Sequence, residues 1–339
     1  MGIFDFLLGK KQPASPQAQS QPRGCFEWRA SEPHMLLLSR FLCAQDASAA
    51  ALPANWEGVL GEPPQVAIDR FFNKDLLIPA SVTAKLDSTF KAVDLKPFLK
   101  ERGLPVSGKK DVLLDRLVTA DPEGMAEKVA HLAVVECSAD ARAIAEQYRA
   151  TKRTEKDAAI SESLAFLRAR EFGKASLTVS SYEAKQVFPR GVGIDWSRPD
   201  PVDDIHHLET LFSSRPKILG GLAEGEWEAL RVAAAMMHLW GTNAGREWLP
   251  VGFVGVPSFG IDTSARMLMF HATHKREMAK FRALNVKSGI IRGCGKDSCE
   301  ACQKIADKSL PLDRIPELPY AGCTCEMGCR CYVEPTLDM

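Results

Sequence analysis

Two short apolar stripes divided by an explicit stop constrain this 339-residue chain more than any other stretch. Leu95, Phe98 and Leu99 recur at i, i+3 and i+4, which is one face of a helix. Asp94 before them is a capping residue type, and Pro97 is tolerated in a first turn. Gly103 stands where a helix ends in the left-handed conformation, Leu104 can fold back on Phe98 or Leu99, and Pro105 forbids continuation. Ser107 offers a second N-cap, and Val112, Leu113 and Leu117 give a second stripe that stops before Asp121 and Pro122. The spacing predicts two short helices closing face to face between Lys91 and Ala120.

Lys109 and Lys110 fall in the first turn of the second helix, where the macrodipole disfavours cations by roughly 0.3–1 kcal/mol each. Free N–H groups at a helix start, beside two ammonium groups, make a phosphate site. From Lys85 to Ala120 there are eight Lys or Arg against five acids, and Lys96, Lys100 and Arg102 are placed to support the pair. The alternative is a solvated basic face on a docking pair of helices. In order and spacing, Leu95, Leu99, Gly103, Leu104, Pro105, Ser107, Gly108, Lys109, Lys110, Leu113, Arg116 and Leu117 resemble the SAP motif. That resemblance implies a helix-extended-helix module that binds duplex DNA by its backbone, tolerant of AT-rich sites and weakly selective for sequence.

The whole chain carries 43 basic and 43 acidic residues, so no global field draws nucleic acid or membrane, and any such binding needs a local patch. No apolar run approaches the roughly 18 residues that span a bilayer. Ile3 to Leu8 is short, and Lys10 and Lys11 follow it rather than precede it, the wrong order for a secretory signal. Phe6 occupies the place that a myristoylation signal gives to Ser or Thr. The expectation is a cytoplasmic protein with no membrane partner.

That compartment changes what ten cysteines mean, because reducing conditions favour metal-bound or reactive thiols over disulfides. Seven of them, Cys294, Cys299, Cys302, Cys323, Cys325, Cys329 and Cys331, lie within one C-terminal segment. Cys299 and Cys302 have the spacing of a metal knuckle, and two Cys-X-Cys pairs return after a loop of twenty residues. Four thiolates at about 2.3 Å from a zinc ion would supply folding free energy to a segment poor in apolar residues. Seven candidates exceed four, so either one zinc takes Cys299, Cys302 and two of the later four, or Cys294 helps to form a second site. From Gly293 onward five basic residues face eight acids, which suits scaffolding better than phosphate binding. A dithiol switch would need its CxxC to open a helix after a strand in a βαβ unit, and none is legible. The CxxC followed by a proline-rich turn and a Cys-Arg-Cys ending also resembles the C-terminal end of phage head-morphogenesis proteins of the Mu F type, although Cys323 to Gly328 replaces the usual lead-in. That resemblance implies a phage-related structural or assembly role, with the SAP module touching packaged DNA or another subunit.

The remaining chain reads as mainly α. Residues 1–24 are a stub and a flexible linker rich in Pro, Gln, Ser and Ala. Residues 25–84 form a small helical region in which Cys25 and Cys43 are expected as buried small hydrophobes. The SAP module takes 85–121, a helical middle with a cap at Ser138 takes 122–190, a second helical domain takes 191–292, and the cysteine-rich, zinc-stapled tail takes 293–339. Glu224 to Trp240 is apolar nearly all round, which predicts a buried helix, with Trp248, Phe253 and Phe259 in the loops that follow. Met236, Met237, Met267 and Met269 are expected to fill core gaps rather than line a ligand site. Asp262 is expected to cap a helix that carries His271 and His274 at i, i+3 with Glu277 a turn further on. A metal- or thiol-dependent enzyme built on them, or on a tail cysteine, requires a cavity joining a histidine to a thiolate; core or surface histidines do not. His206, His207 and His238 have no legible partner. The expected function is nucleic-acid binding, to duplex DNA, through SAP phosphate contacts, with a helical body open to a protein partner and a structural zinc.

Overall fold

The computed structural model describes residues 27–48, 52–191, 193–242, 245–256, 259–293 and 295–336. Residues 1–24, Cys25 and Cys294 lie outside them. Thirteen α-helices and six short strands form among the described residues, in two compact units that divide between Arg149 and Ala150. The sequence suggests a boundary near residue 190. The division falls instead inside the long helix α8 (Ala139–Arg168), and the loop after Arg190 is internal to the second unit.

In the first unit, α1 (Glu32–Arg40), α2 (Asn55–Leu60) and α3 (Pro64–Asn73) bury Leu37, Leu38, Trp56, Ile68 and Phe71. A three-stranded antiparallel sheet has the order β1 (Gln45–Asp46), β3 (Val134–Cys137), β2 (Leu77–Pro79), with Leu77 opposite Cys137. Strand β3 corrects the wholly helical expectation for 122–190, because its partners lie more than fifty residues upstream, beyond any local periodicity. Ser138 does cap the helix that follows, accepting the Ala141 N–H at 3.4 Å. Cys43 is exposed, against expectation, whereas Cys137 is buried with its thiol against the Leu38 carbonyl and is pushed up to about 11 by burial.

The predicted helix pair appears as α5 (Ala92–Glu101) and α6 (Lys110–Ala120), and α4 (Val82–Thr89) and α7 (Pro122–Val129) complete it. Leu86, Leu95, Leu99, Leu113, Leu114, Leu117, Met125 and Val129 form one buried core. The two added helices are needed because helices of ten and eleven residues are marginal alone and gain their stability by burying a face. Each leucine so buried contributes about 1.5–3 kcal/mol. The inward stripe of α6 is Leu113, Leu114 and Leu117; Val112 stays 42% exposed.

In the second unit, α9 (Phe172–Glu183), α10 (Pro201–Ser213), α11 (Glu224–Trp240) and α12 (Ile261–Ala283) pack with the latter part of α8. Helix α11 has the predicted range and is buried along most of its length, and Met236, Met237 and Met267 lie fully inside the core. Phe259 is buried there, and Trp248 and Phe253 pack against it half-buried. Gly260, not Asp262, is the N-cap of α12; Asp262 accepts the N–H groups of Gly245 and Arg246 at 2.7 and 2.8 Å, tying a distant loop to the helix. A second antiparallel sheet has the order β5 (Ser309–Pro311), β4 (Ser288–Arg292), β6 (Tyr332–Thr336). Its register sets Arg292 opposite Tyr332, so the chain entering and leaving the cysteine segment is clamped at one place, with α13 (Glu300–Ile305) between.

Candidate nucleic-acid interface and metal centre

Helix α5 ends as its sequence dictates. Gly103 adopts φ +65°, its N–H reaches the Lys100 carbonyl at 3.0 Å, and the Leu104 N–H reaches the Leu99 carbonyl at 2.9 Å. This pair of bonds, with Leu104 packed on the core, closes the C-terminus. At the start of α5, Lys91 is the N-cap and Asp94 works from the third position, accepting the Lys91 N–H at 2.8 Å. Ser107 lies upstream of the α6 N-cap, which is Lys109. The extended link between the helices is held by Arg116, whose Nη1 donates to the carbonyls of Pro105 and Ser107 at 2.7 and 2.8 Å. Sequence reasoning saw Arg116 only as a motif position; a guanidinium one face of a helix away from a Pro-containing link was the available signal.

The five predicted phosphate contacts separate into two groups. Lys110 donates to the Asp87 carboxylate at 2.8 Å and to the Asp87 carbonyl. Its unfavourable place at a helix start is therefore offset by the chain's own acid. Arg102 gives Nε and Nη2 to Asp121 Oδ2 at 2.8 and 2.5 Å and Nη1 to the Phe98 carbonyl at 3.0 Å, while Asp121 Oδ1 caps α7 through the Gly124 N–H. Lys96, Lys100 and Lys109 are exposed, and their ammonium groups have no hydrogen-bond or ion-pair partner among the described residues. Lys96 and Lys100 lie four apart on one helical face. Lys109 marks the start of α6, whose first-turn N–H groups have no side-chain cap.

In the tail, Cys299 is the N-cap of α13 and Cys302 lies in its first turn. The sulfurs of Cys299, Cys302, Cys323 and Cys325 all lie within 4.8 Å of one another, as do those of Cys302, Cys329 and Cys331. Cys299 to Cys323 and Cys302 to Cys329 are each 3.9 Å. A tetrahedral zinc with bonds of about 2.3 Å sets its sulfurs roughly 3.8 Å apart, so the thiols fit such an ion. Backbone N–H groups already point at the sulfurs: Thr324 to Cys299 at 3.4 Å, Cys299 to Cys325 at 3.2 Å, Cys325 to Cys323 at 3.4 Å and Tyr320 to Cys329 at 3.3 Å. Burial raises the Cys299 thiol, but the hydrogen bonds from Thr324 and Cys302 outweigh it and bring it down to about 6. A hydrogen bond from Cys331 draws Cys329 down to about 5, and burial pushes Cys302 up to about 12. A cation placed among these sulfurs favours the deprotonated form of all.

The fit of this segment on α12 depends on Gly328. It adopts φ +81°, and a Cβ there would approach Met267 Cε to 2.5 Å and Thr263 Cγ2 to 2.9 Å. The close approach lets the Cys329 N–H donate to Met267 Sδ at 3.1 Å. Gly328→Ala is therefore expected to destabilise the second unit by about 1–3 kcal/mol and to displace the cysteine segment from α12. A thermal scan of the variant that overlays the parent would contradict this.

His271 is a core histidine: it is buried, and Nδ1 donates to the Leu318 carbonyl at 3.0 Å. His274, driven down to about 4 by burial, lines a cavity of about 310 Å3 with Phe270, Thr273, Glu277 and Cys331. Neither histidine falls within the thiol sets among the described residues. The cavity joins His274, but not His271, to Cys331, whose thiol is pushed up by its hydrogen bond with Cys329 and by burial.

One cluster was not legible at all. Asp204 on α10 accepts from Ser176 on α9 at 2.5 Å and pairs with His238 Nε2 on α11 at 3.0 Å, and His207 stacks on His238 at 4.1 Å. Burial would raise the Asp204 carboxyl, but the bonds from His238 and Ser176 outweigh it and keep it ionised. Ser176, Asp204 and His238 line a cavity of about 370 Å3 with Arg190 and Trp196. The members come from three helices, so no spacing in the chain announces them.

Among the described residues no helix is long and apolar enough to cross a membrane. No curated protein and no solved structure matches the chain. The comparisons give no support to the likeness of the tail to phage head-morphogenesis proteins, so the phage-related assembly expectation has no independent footing. Residues 88–122 match the family model of the SAP domain, a general DNA-binding module, and it is a SAP domain that the α5–α6 pair with its Arg116-held link builds into this chain.

Proposed function

We propose that the chain binds duplex DNA by its phosphates through the SAP domain, using Lys96, Lys100 and Lys109, and that its C-terminal thiols hold structural zinc. The observation that carries the DNA reading is the set of three exposed ammonium groups without a partner among the described residues, one of them at the uncapped start of α6. Phosphate oxygens accept both from such N–H groups and from ammonium groups. Arg102 and Lys110 hold the helices together instead of reaching the DNA. The zinc reading rests on the thiol spacing, and the helical body remains the surface for a protein partner.

The test is a binding titration of the full chain on two unrelated duplexes over a range of salt. The triple substitution of Lys96, Lys100 and Lys109 to Gln should weaken both duplexes about equally, since phosphate contacts do not specify sequence. It should flatten the slope of log K against log salt by about 0.9 for each phosphate that is no longer neutralised. Lys110→Gln should leave the slope unchanged and alter stability by less than about 1 kcal/mol, as expected of a surface ion pair. An unchanged slope in the triple variant, with its fold intact, would return α5 and α6 to a docking role.

A further inference from the structure

We propose that the tail holds two zinc ions rather than one, and that the Cys302 thiolate bridges them. The proposal rests on the zinc reading above and adds the stoichiometry and the shared ligand. Its basis is the overlap of the two thiol sets. Cys299, Cys302, Cys323 and Cys325 form one, Cys302, Cys329 and Cys331 form the other, and Cys302 alone belongs to both. Each set contains a sulfur pair at 3.9 Å, close to the roughly 3.8 Å edge of a tetrahedral zinc site.

One tetrahedral ion takes four of these six thiolates and leaves two behind. If the first set alone were metallated, Cys329 and Cys331 would remain as two sulfurs within 4.8 Å of the bound Cys302 and without a metal of their own. Cys329 is 1% exposed and receives the Tyr320 N–H at 3.3 Å. A second ion at Cys302, Cys329 and Cys331 takes up both. Two separate four-thiolate sites would need eight sulfurs, whereas six sulfurs with one shared give four ligands to the first ion and three to the second. A thiolate has lone pairs enough to bind both ions, and Cys302, itself 1% exposed, stands between its two groups of partners.

Each ligating thiol releases its proton to solvent when the ions bind. Six thiolates and two dications leave the same net charge as one zinc in four thiolates. Water completes the second ion, entering from the cavity of about 310 Å3 that Cys331 lines with Thr273, His274 and Glu277.

Zinc-loaded full-length protein, weighed intact under native conditions, should carry two zinc ions per chain. One ion per chain would overturn the bridge and leave the zinc reading standing; none would overturn both. Cys331→Ser should hold one ion with the helical body unchanged by circular dichroism, and retention of two would count against the proposal. After exchange of zinc for cadmium-113 in the unsubstituted chain, proton–cadmium correlation should show two cadmium signals, both coupled to the Cys302 β-protons. Two signals that share no cysteine, or a single signal, would overturn the bridge.

Discussion

Removing zinc with a chelator should unfold the segment from β4 to β6 while the SAP domain stays folded. The segment's own apolar cluster is small: Leu312, Leu318 and Val333 bury themselves against Met278 of α12. Structural zinc in thiolate sites contributes an apparent 10–16 kcal/mol at neutral pH, comparable with the roughly 5–15 kcal/mol that holds a whole domain together. Loss of the metal also leaves Cys302, Cys323 and Cys329, which belong to the main core of the second unit, as crowded thiols inside it. Hydrogen exchange should therefore accelerate first in residues 288–336 and next in α12, against which Gly328 and Cys329 pack. The core of the SAP domain, Leu86 to Val129, contains no residue of the second unit, and its protection should not move. Purified protein without zinc, with all six described tail thiols open to titration in the native state, would refute the metal reading.

What the chain revealed in advance was what its neighbouring residues determine. The Gly103 stop and the buried run of α11 are written within a few turns of chain, and the CxxC with its Cys-X-Cys pairs returning after twenty residues is marked by residue type; each is found where expected. Caps were placed less well. Asp94 and Asp262 are both at helix starts, yet each works from inside the first turn, Asp94 on its own N-cap and Asp262 on a loop. What escaped were the features made by distant residues that no repeated residue type marks. Lys110 looked unpaired because Asp87 is on the preceding helix but one, and the Asp204 cluster needs three helices to be packed before it exists. The strands are two to five residues long, and a doublet such as Val134–Val135 cannot name its partner. Charge counting found a basic region, but only side-chain geometry separates the cations paired within the fold from those with no partner among the described residues.

Acid should destabilise the second unit well above the pH at which carboxylates titrate, because its buried histidines resist protonation, and His207, held lower than His274, contributes most. Its ring is 2% exposed, neither ring nitrogen has a hydrogen-bond partner among the described residues, and it stacks on His238. Burial, with smaller contributions from His238 and Arg276 and against the opposing pull of Asp204, holds its pKa at about 3 in the folded chain, below the ordinary 6.5. Between those two values the unfolded chain binds a proton that the folded chain refuses. Stability is therefore complete above about pH 6.5 and falls as pH drops toward 3, by up to 1.36 kcal/mol for each pH unit. At pH 4.5 the accumulated loss is about 2–3 kcal/mol. The tail thiolates also take up protons over this range, so the measurement must isolate the histidine by difference. His207→Leu has a similar volume and nothing to titrate, and it removes two buried polar atoms that satisfy nothing, so at pH 7 it should be as stable as the parent or more so. Urea unfolding of both proteins at pH 7 and pH 4.5 should show the parent losing about 2–3 kcal/mol more than the variant on acidification. Equal losses in the two proteins would mean that His207 is protonated in the folded chain and that the pocket around it opens to water.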